Sequence, residues 1–427
     1  MISDGILVIL AFVALALLRV PVYAALGLPA TYYALFVFGQ PLSFPIQRML
    51  RTVDSFTLLA VPIFIFVGSL MNHGDVTERI FDFADSVVGH LTGGLAQVNV
   101  LTSIVFSGIS GSALADIGGV GRVLIETMSE SGYDDGYSAA LTSASATIGP
   151  LFPPSIPLIL FGIIAEVSVL QLLLAGALPA ILTGLLLMIG TAIIARRRGF
   201  PRNDERASLS KAGRSFLIAT PALLTPVVLI AGMLGGYFSP TEAAAVTVIY
   251  IAFINAVFYR ILNVEYVWSA SIEAVRTTGT ILLILAAAGL FAWVLSVEGI
   301  DQQFANILFG ISETPAVVLF LTVLLLLFLG LFLDPLAALV MVTPVIVPPL
   351  TSVGYNPIHV GVVTVYALMV GLLTPPLGLS VYLSADISGA DVVDVFRKSA
   401  PYYVILLVGL FVVAYVPRLS LALLEYA

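Results

Sequence analysis

The 427-residue chain contains no cysteine, only three histidines (His73, His90 and His359), and charged side chains at only 10% of its positions. Each shortage removes a class of function. Without cysteine there is no disulfide, no thiolate metal site and no cysteine nucleophile. The three histidines are scattered, which argues against a histidine metal centre. A soluble domain carries about 25% charged residues. Here 60% of residues are hydrophobic, so the apolar surface exceeds what one soluble core can hide, and lipid is the natural solvent. The formal charge of −8 says little about partners, because most charges must lie in loops.

Long apolar runs are abundant. Gly5 to Leu18 reads as a retained first span, since Asp4 stands where a signal peptide would be basic. Ala175 to Ala195, Phe216 to Tyr237, Ile281 to Val297 and Val404 to Val416 read as further spans. Each approaches or reaches the roughly 20 apolar residues that cross a bilayer core. The runs are continuous and lack period-2 alternation, which excludes a barrel reading. Trp268 and Trp293 are expected at the membrane interface. Seven of the 17 Lys and Arg residues fall between Arg196 and Arg214. The positive-inside rule puts this loop in the cytoplasm, with Tyr237 outside and Arg260 inside again. A topology signal explains such a loop better than a nucleic-acid patch.

Residues recur at a fixed offset of 222. Gly108 recurs as Gly330, Gly132-Tyr133 as Gly354-Tyr355, Gly149 as Gly371, Pro153-Pro154 as Pro375-Pro376, and Pro179 as Pro401. Two homologous halves follow: residues 1–200 and 215–427, joined by a basic linker at 201–214. A looser pair sets Pro21, after Arg19 and read as cytoplasmic, against Pro240, read as external. Equivalent positions on opposite faces imply an inverted repeat, an architecture recurrent in secondary transporters.

Each half carries two interruptions. One is the double-proline run, Gly149 to Ser155 and Gly371 to Gly378. Proline lacks an N–H and clashes with the preceding turn, so a helix cannot pass intact. The other lies about 40 residues upstream: Ser107 to Ala113, and Gly330 to Pro335. Its flanking arms are too short to span, so each is expected to be a re-entrant hairpin. Broken backbone at membrane depth is tolerated only where protein or a water-filled cavity satisfies it. Upstream half-helices end in carbonyls that suit Na⁺, and downstream ones begin with N–H groups that suit a carboxylate. Two cation sites flanking an anion site are therefore expected, with no buried acid needed to hold the ion. Asp116, Arg122 and Glu126 fall at helical spacing, and mutual pairing is their expected role. Asp334 is read either as an exposed tip acid or as a group binding ion, proton or substrate.

At these residues the chain resembles the large permease subunit of tripartite ATP-independent periplasmic (TRAP) transporters, the dicarboxylate-type M subunit. The likeness runs over nearly the whole chain. It is carried by Leu59-Ala60-Val61-Pro62-Ile63-Phe64, by Phe106 to Asp116, by Ser239-Pro240-Thr241-Glu242-Ala243-Ala244-Ala245 and by the two double-proline runs. The resemblance implies an all-α polytopic fold of the ion transporter superfamily, working as an elevator in a bacterial or archaeal inner membrane. Its transport elements would lie at about 92–167 and 314–390, the remaining helices forming the scaffold. It implies Na⁺ coupling, no organic cofactor, delivery of a small carboxylate by a periplasmic binding protein, and a small four-helix membrane subunit. Because Gly5 already begins the first span, that subunit is expected to be a separate chain. Carried onto matching positions, the first sodium site would use Ser107 and Ser110 with backbone at Gly149, Phe152 and Pro154. The second would use backbone at Gly330, Gly371 and Pro376 with the Thr374 hydroxyl. Ser112, Ser155, Asp334 and Gly378, where the downstream half-helices begin, are the residues expected at the substrate.

Three other readings compete. An intramembrane enzyme would need a Ser/His or paired-Asp set, and none is visible. A channel would have no need of hinged, inverted halves. A carrier of the same superfamily, coupled to protons or lacking a binding protein, is the runner-up, and Asp334 is its best feature. Which organic anion is carried is not legible, because sites built from backbone encode little about side groups.

Overall fold

Apolar sequence in lipid must satisfy its own backbone N–H and C=O groups, and helices do so within a single segment. The computed structural model describes residues 4–18, 20–72, 76–200 and 208–426, and among them every regular element is helical. Arg19, His73, Arg202 and Arg206 lie outside the described residues, so the linker and the Arg19 argument are described only in part.

The first run comprises α1 (Asp4–Leu17), α2 (Val22–Tyr32), α3 (Ser43–Val53), α4 (Ala60–Asn72) and α5 (Val76–Val88). Then come α6 (Gly94–Ser110), α7 (Ala113–Asp116), α8 (Arg122–Glu130), α9 (Asp135–Ser145), α10 (Ile156–Ile164) and α11 (Val169–Arg198). A π-helical turn, Ile117–Gly121, carries α7 into α8 without a gap. The second run opens with α12 (Leu209–Leu223), α13 (Thr225–Leu234), α14 (Pro240–Val257), α15 (Val264–Val297) and α16 (Ile300–Ile311). It closes with α17 (Pro315–Gly330), α18 (Pro335–Ser352), α19 (Pro357–Leu372), α20 (Leu379–Ser388) and α21 (Val392–Tyr415).

The sequence offset reappears in these elements. Ser110 ends α6 and Gly330 ends α17, each closing the first arm of a pair. The interruption between α9 and α10 corresponds to that between α19 and α20, and Pro153-Pro154 and Pro375-Pro376 are both cis. The expected spans change in length. Ile281 to Val297 is the end of a 34-residue helix, and Val404 to Val416 belongs to a 24-residue one. Phe216 to Tyr237 is bent by 47° between α12 and α13, where Pro226 leaves an N–H missing from the ladder. Among the described residues, five helices are long and apolar enough to cross a membrane, or up to seven if each bent pair counts as one.

α15 packs against α2, α3 and α4, and α4 against α14. Separately, α11 packs against α6, α10, α19 and α21, while α9 packs against α20 and α21. The halves interlock there: Ser143 on α9 donates to the Ser380 carbonyl at 3.1 Å and lies 2.6 Å from Ser384 Oγ on α20. His359 is buried between the Ser420 hydroxyl and the Ala414 carbonyl, a packing role. Trp293 packs on the rings of Tyr33, Phe38 and Phe44, whereas Trp268 is exposed.

Glycine lets backbones touch where the second hairpin tip meets the second broken helix. A Cβ on Gly371 would sit 2.6 Å from the Gly330 Cα. Gly371→Ala is expected to cost about 1–3 kcal/mol of stability, the usual penalty of overpacking. A lowered midpoint in thermal unfolding of the purified protein, with exposed Gly310→Ala on α16, whose added methyl meets nothing, as reference, checks this.

Candidate functional site

The first site grows from the end of α6. Gly111 turns the chain in the left-handed region at φ +62°, and a side chain there would strike the Pro154 carbonyl oxygen. Gly108 lies under the Phe152 ring, 3.2 Å from where its Cβ would be. The hairpin tip therefore rests directly on the first double-proline run. The carbonyls of Gly149, Phe152 and Pro154 accept no hydrogen bond among the described residues. Three free carbonyls facing no donor are a partial negative charge suited to a hard cation.

A carboxylate completes this cluster. Asp116 is fully buried; its Oδ1 accepts from the Ser110 hydroxyl, and its Oδ2 has no partner among the described residues. A Cβ on Gly149 would lie 2.6 Å from that Oδ2. Two expectations are corrected here. Asp116 does not join Arg122 and Glu126, both of which are exposed; the π-turn after Asp116 adds a residue and breaks the α spacing on which that pairing rested. A buried acid also does stand beside the first site. Ser107 is buried and donates to the Ser103 carbonyl, leaving its oxygen lone pairs free.

The second site differs. The carbonyls of Gly330 and Pro376 are free among the described residues, but Gly371 O already accepts from the Thr374 N–H at 2.9 Å. The Thr374 hydroxyl donates to Val370 O at 2.8 Å. Pro375, Pro376 and Leu377 are exposed, whereas Pro153, Pro154 and Ser155 are buried. No buried carboxylate with an unpaired oxygen accompanies the second set among the described residues.

The downstream half-helices are not bare. Ser112 caps α7 by accepting from Ala115 N at 3.5 Å, and Ser155 caps α10 by accepting from Leu158 N at 3.1 Å. Asp334 Oδ1 accepts from Leu336 N and Ala337 N at 3.0 and 3.3 Å, as carboxylates do at helix N-termini. Gly378 alone begins its helix without a side-chain cap. The expected unpaired N–H groups are thus partly met by the chain itself.

A cavity of about 640 Å³ opens beside the first tip. Ser110, Ser112 and Asp334 line it, with Pro150 and Pro335; Ser155, Gly378, Thr374 and the second double-proline run do not. It is also lined by Ser69 and Asn72 of α4, which packs against the first tip, and by Glu273, Thr277 and Thr280 of α15. These wall residues escape sequence reasoning, because nothing local distinguishes a Thr on an apolar helix from a packing residue.

Hairpin tips and a broken helix that meet at a cavity inside an apolar bundle define a membrane transport protein, spanning the inner membrane several times. The chain belongs to the DctM component family of tripartite ATP-independent periplasmic transporters, whose family model matches residues 9–419. It is 41% identical to the sialic acid TRAP transporter large permease protein SiaM of Vibrio cholerae, over 90% of each chain. It is 36% identical to the C4-dicarboxylate TRAP transporter large permease protein DctM of Pseudomonas aeruginosa, over 88% of each. These relatives are permeases, not enzymes. The crystal structure of the Alcanivorax borkumensis YdaH transporter shares the fold, with a TM-score of 0.63 over 96% of this chain and 98% of that one, at 17% identity.

Ser110→Ala leaves both oxygens of a buried carboxylate unpaired. The expected loss is about 1–3 kcal/mol, read as a lower unfolding midpoint, and Ser110→Thr, which restores the hydroxyl, should recover most of it.

Proposed function

We propose that this chain is the large permease of a Na⁺-coupled importer of a small organic anion, supplied by a periplasmic binding protein and assembled with a small four-helix membrane subunit. The observation that carries the reading is the first tip cluster. The carbonyls of Gly149, Phe152 and Pro154 have no donor among the described residues, the unpaired Asp116 oxygen lies against Gly149, and Ser110, which donates to Asp116, also lines the cavity. A cation bound there lies next to the anion's chamber, so each stabilises the other. That mutual stabilisation is the coupling a symporter requires. The relatives' printed substrates, sialic acid and C4-dicarboxylate, are organic acids and support the substrate class.

Alternating access by an elevator accounts for the packing. The 222-residue correspondence of helix breaks supports two homologous halves in inverted order, 1–200 and 215–427. α6 to α10 and α17 to α20 form the moving body. We assign α11 and α21 to it as well, because they pack on α6, α9, α10 and α19. The group of α2, α3, α4, α14 and α15 is the scaffold. The second cation site, at Gly330, Gly371, Thr374 and Pro376, binds more weakly, since one carbonyl is engaged and no buried carboxylate with an unpaired oxygen accompanies it among the described residues.

Proton coupling is the second reading, and the unpaired Asp116 oxygen is the observation that keeps it in view. Uptake of radiolabelled organic acids into proteoliposomes, with subunit and binding protein present, separates the two. Na⁺ coupling predicts uptake driven by an inward Na⁺ gradient and indifferent to a pH gradient, with Asp116→Asn reducing it at least about tenfold, or 1.4 kcal/mol. Uptake that follows the pH gradient and ignores Na⁺ would replace the first reading with the second.

A further inference from the structure

We propose that the cavity selects a polyhydroxylated monocarboxylate over a dicarboxylate, with Glu273 as the specificity-determining residue. This rests on reading the cavity as an organic-anion site. Among its described lining residues are two carboxylates, Asp334 and Glu273, and no Lys, Arg or His. One substrate carboxylate has a place at the hairpin-tip wall, next to Ser112 and the cation cluster. A second carboxylate at the opposite wall would meet Glu273 with no countercharge, and like-charge juxtaposition is an effective device against a wrong ligand.

The same wall suits hydroxyl and amide N–H donors. Glu273 is exposed to the cavity and forms no ion pair among the described residues. The Thr280 hydroxyl donates to Arg276 O at 3.2 Å, which leaves its oxygen to accept. The Glu273 carboxylate and the Thr280 hydroxyl match a ligand whose tail is rich in donors, and a site built this way rejects analogues that lack them. The volume of about 640 Å³ leaves room for a sugar acid, within the roughly 300–1,000 Å³ that hold drug-sized ligands.

The absence of cysteine makes the test clean, since an introduced thiol is unique. Thr277→Cys, in the full-length chain in lipid nanodiscs with Na⁺, would be labelled with a maleimide. The probes are N-acetylneuraminate, D-gluconate and succinate. The expected result is slower labelling with either polyhydroxylated acid and unchanged labelling with succinate. Adding Glu273→Gln should raise the half-protecting concentration of the sugar acids about tenfold and allow succinate to protect. Equal protection by succinate in the Glu273 protein, or protection by all three that Glu273→Gln leaves unchanged, overturns the selectivity and leaves the anion site standing. Protection by none of the three overturns the anion-site reading, and the selectivity with it.

Discussion

Interrupting a helix inside an apolar bundle frees backbone groups that lipid cannot solvate, and this constraint organises the molecule. Each unsatisfied group costs several kcal/mol in a hydrocarbon setting. A break survives only if something answers it. Here the N–H ends are answered by Ser112, Ser155 and Asp334, each capping the helix it begins. The carbonyl ends at Gly149, Phe152 and Pro154 are left without a protein donor, and that asymmetry makes the site electronegative at one end.

The close packing follows from the same demand. A hairpin tip can cover a broken helix only if backbone approaches backbone. Gly111 against Pro154 and Gly330 against Gly371 are glycine because a methyl would fill the gap. Asp116 belongs to this logic too. A buried carboxylate with one unpaired oxygen is costly in isolation, and it is tolerable beside a site whose ligand is a cation.

The two double-proline breaks share a local plan, each with a cis Pro-Pro bond between two helices, yet differ in chemistry. The first double-proline run is buried and adjoins a buried acid with an unpaired oxygen; the second reaches the surface at Pro375, Pro376 and Leu377, and no such acid accompanies it among the described residues. Repetition constrains where helices break, because proline and glycine act locally. It does not constrain what surrounds each break, which depends on helices from elsewhere in the chain.

Composition and local chemistry determined the helical membrane class, the positions of the four breaks and the residues at their tips, because proline, glycine and apolar run length act within a few residues of themselves. The family was legible for the same reason: the stretch from Phe106 to Asp116 and the double prolines are contiguous. Tertiary structure decided the rest. The pairing of Asp116 turned on a π-turn that shifts helical register, so its partner is Ser110 and not Arg122. The cavity lining brings together Asn72 and Glu273, about 200 positions apart in the chain. No periodicity records such a meeting, since it arises only when separate helices pack against one another.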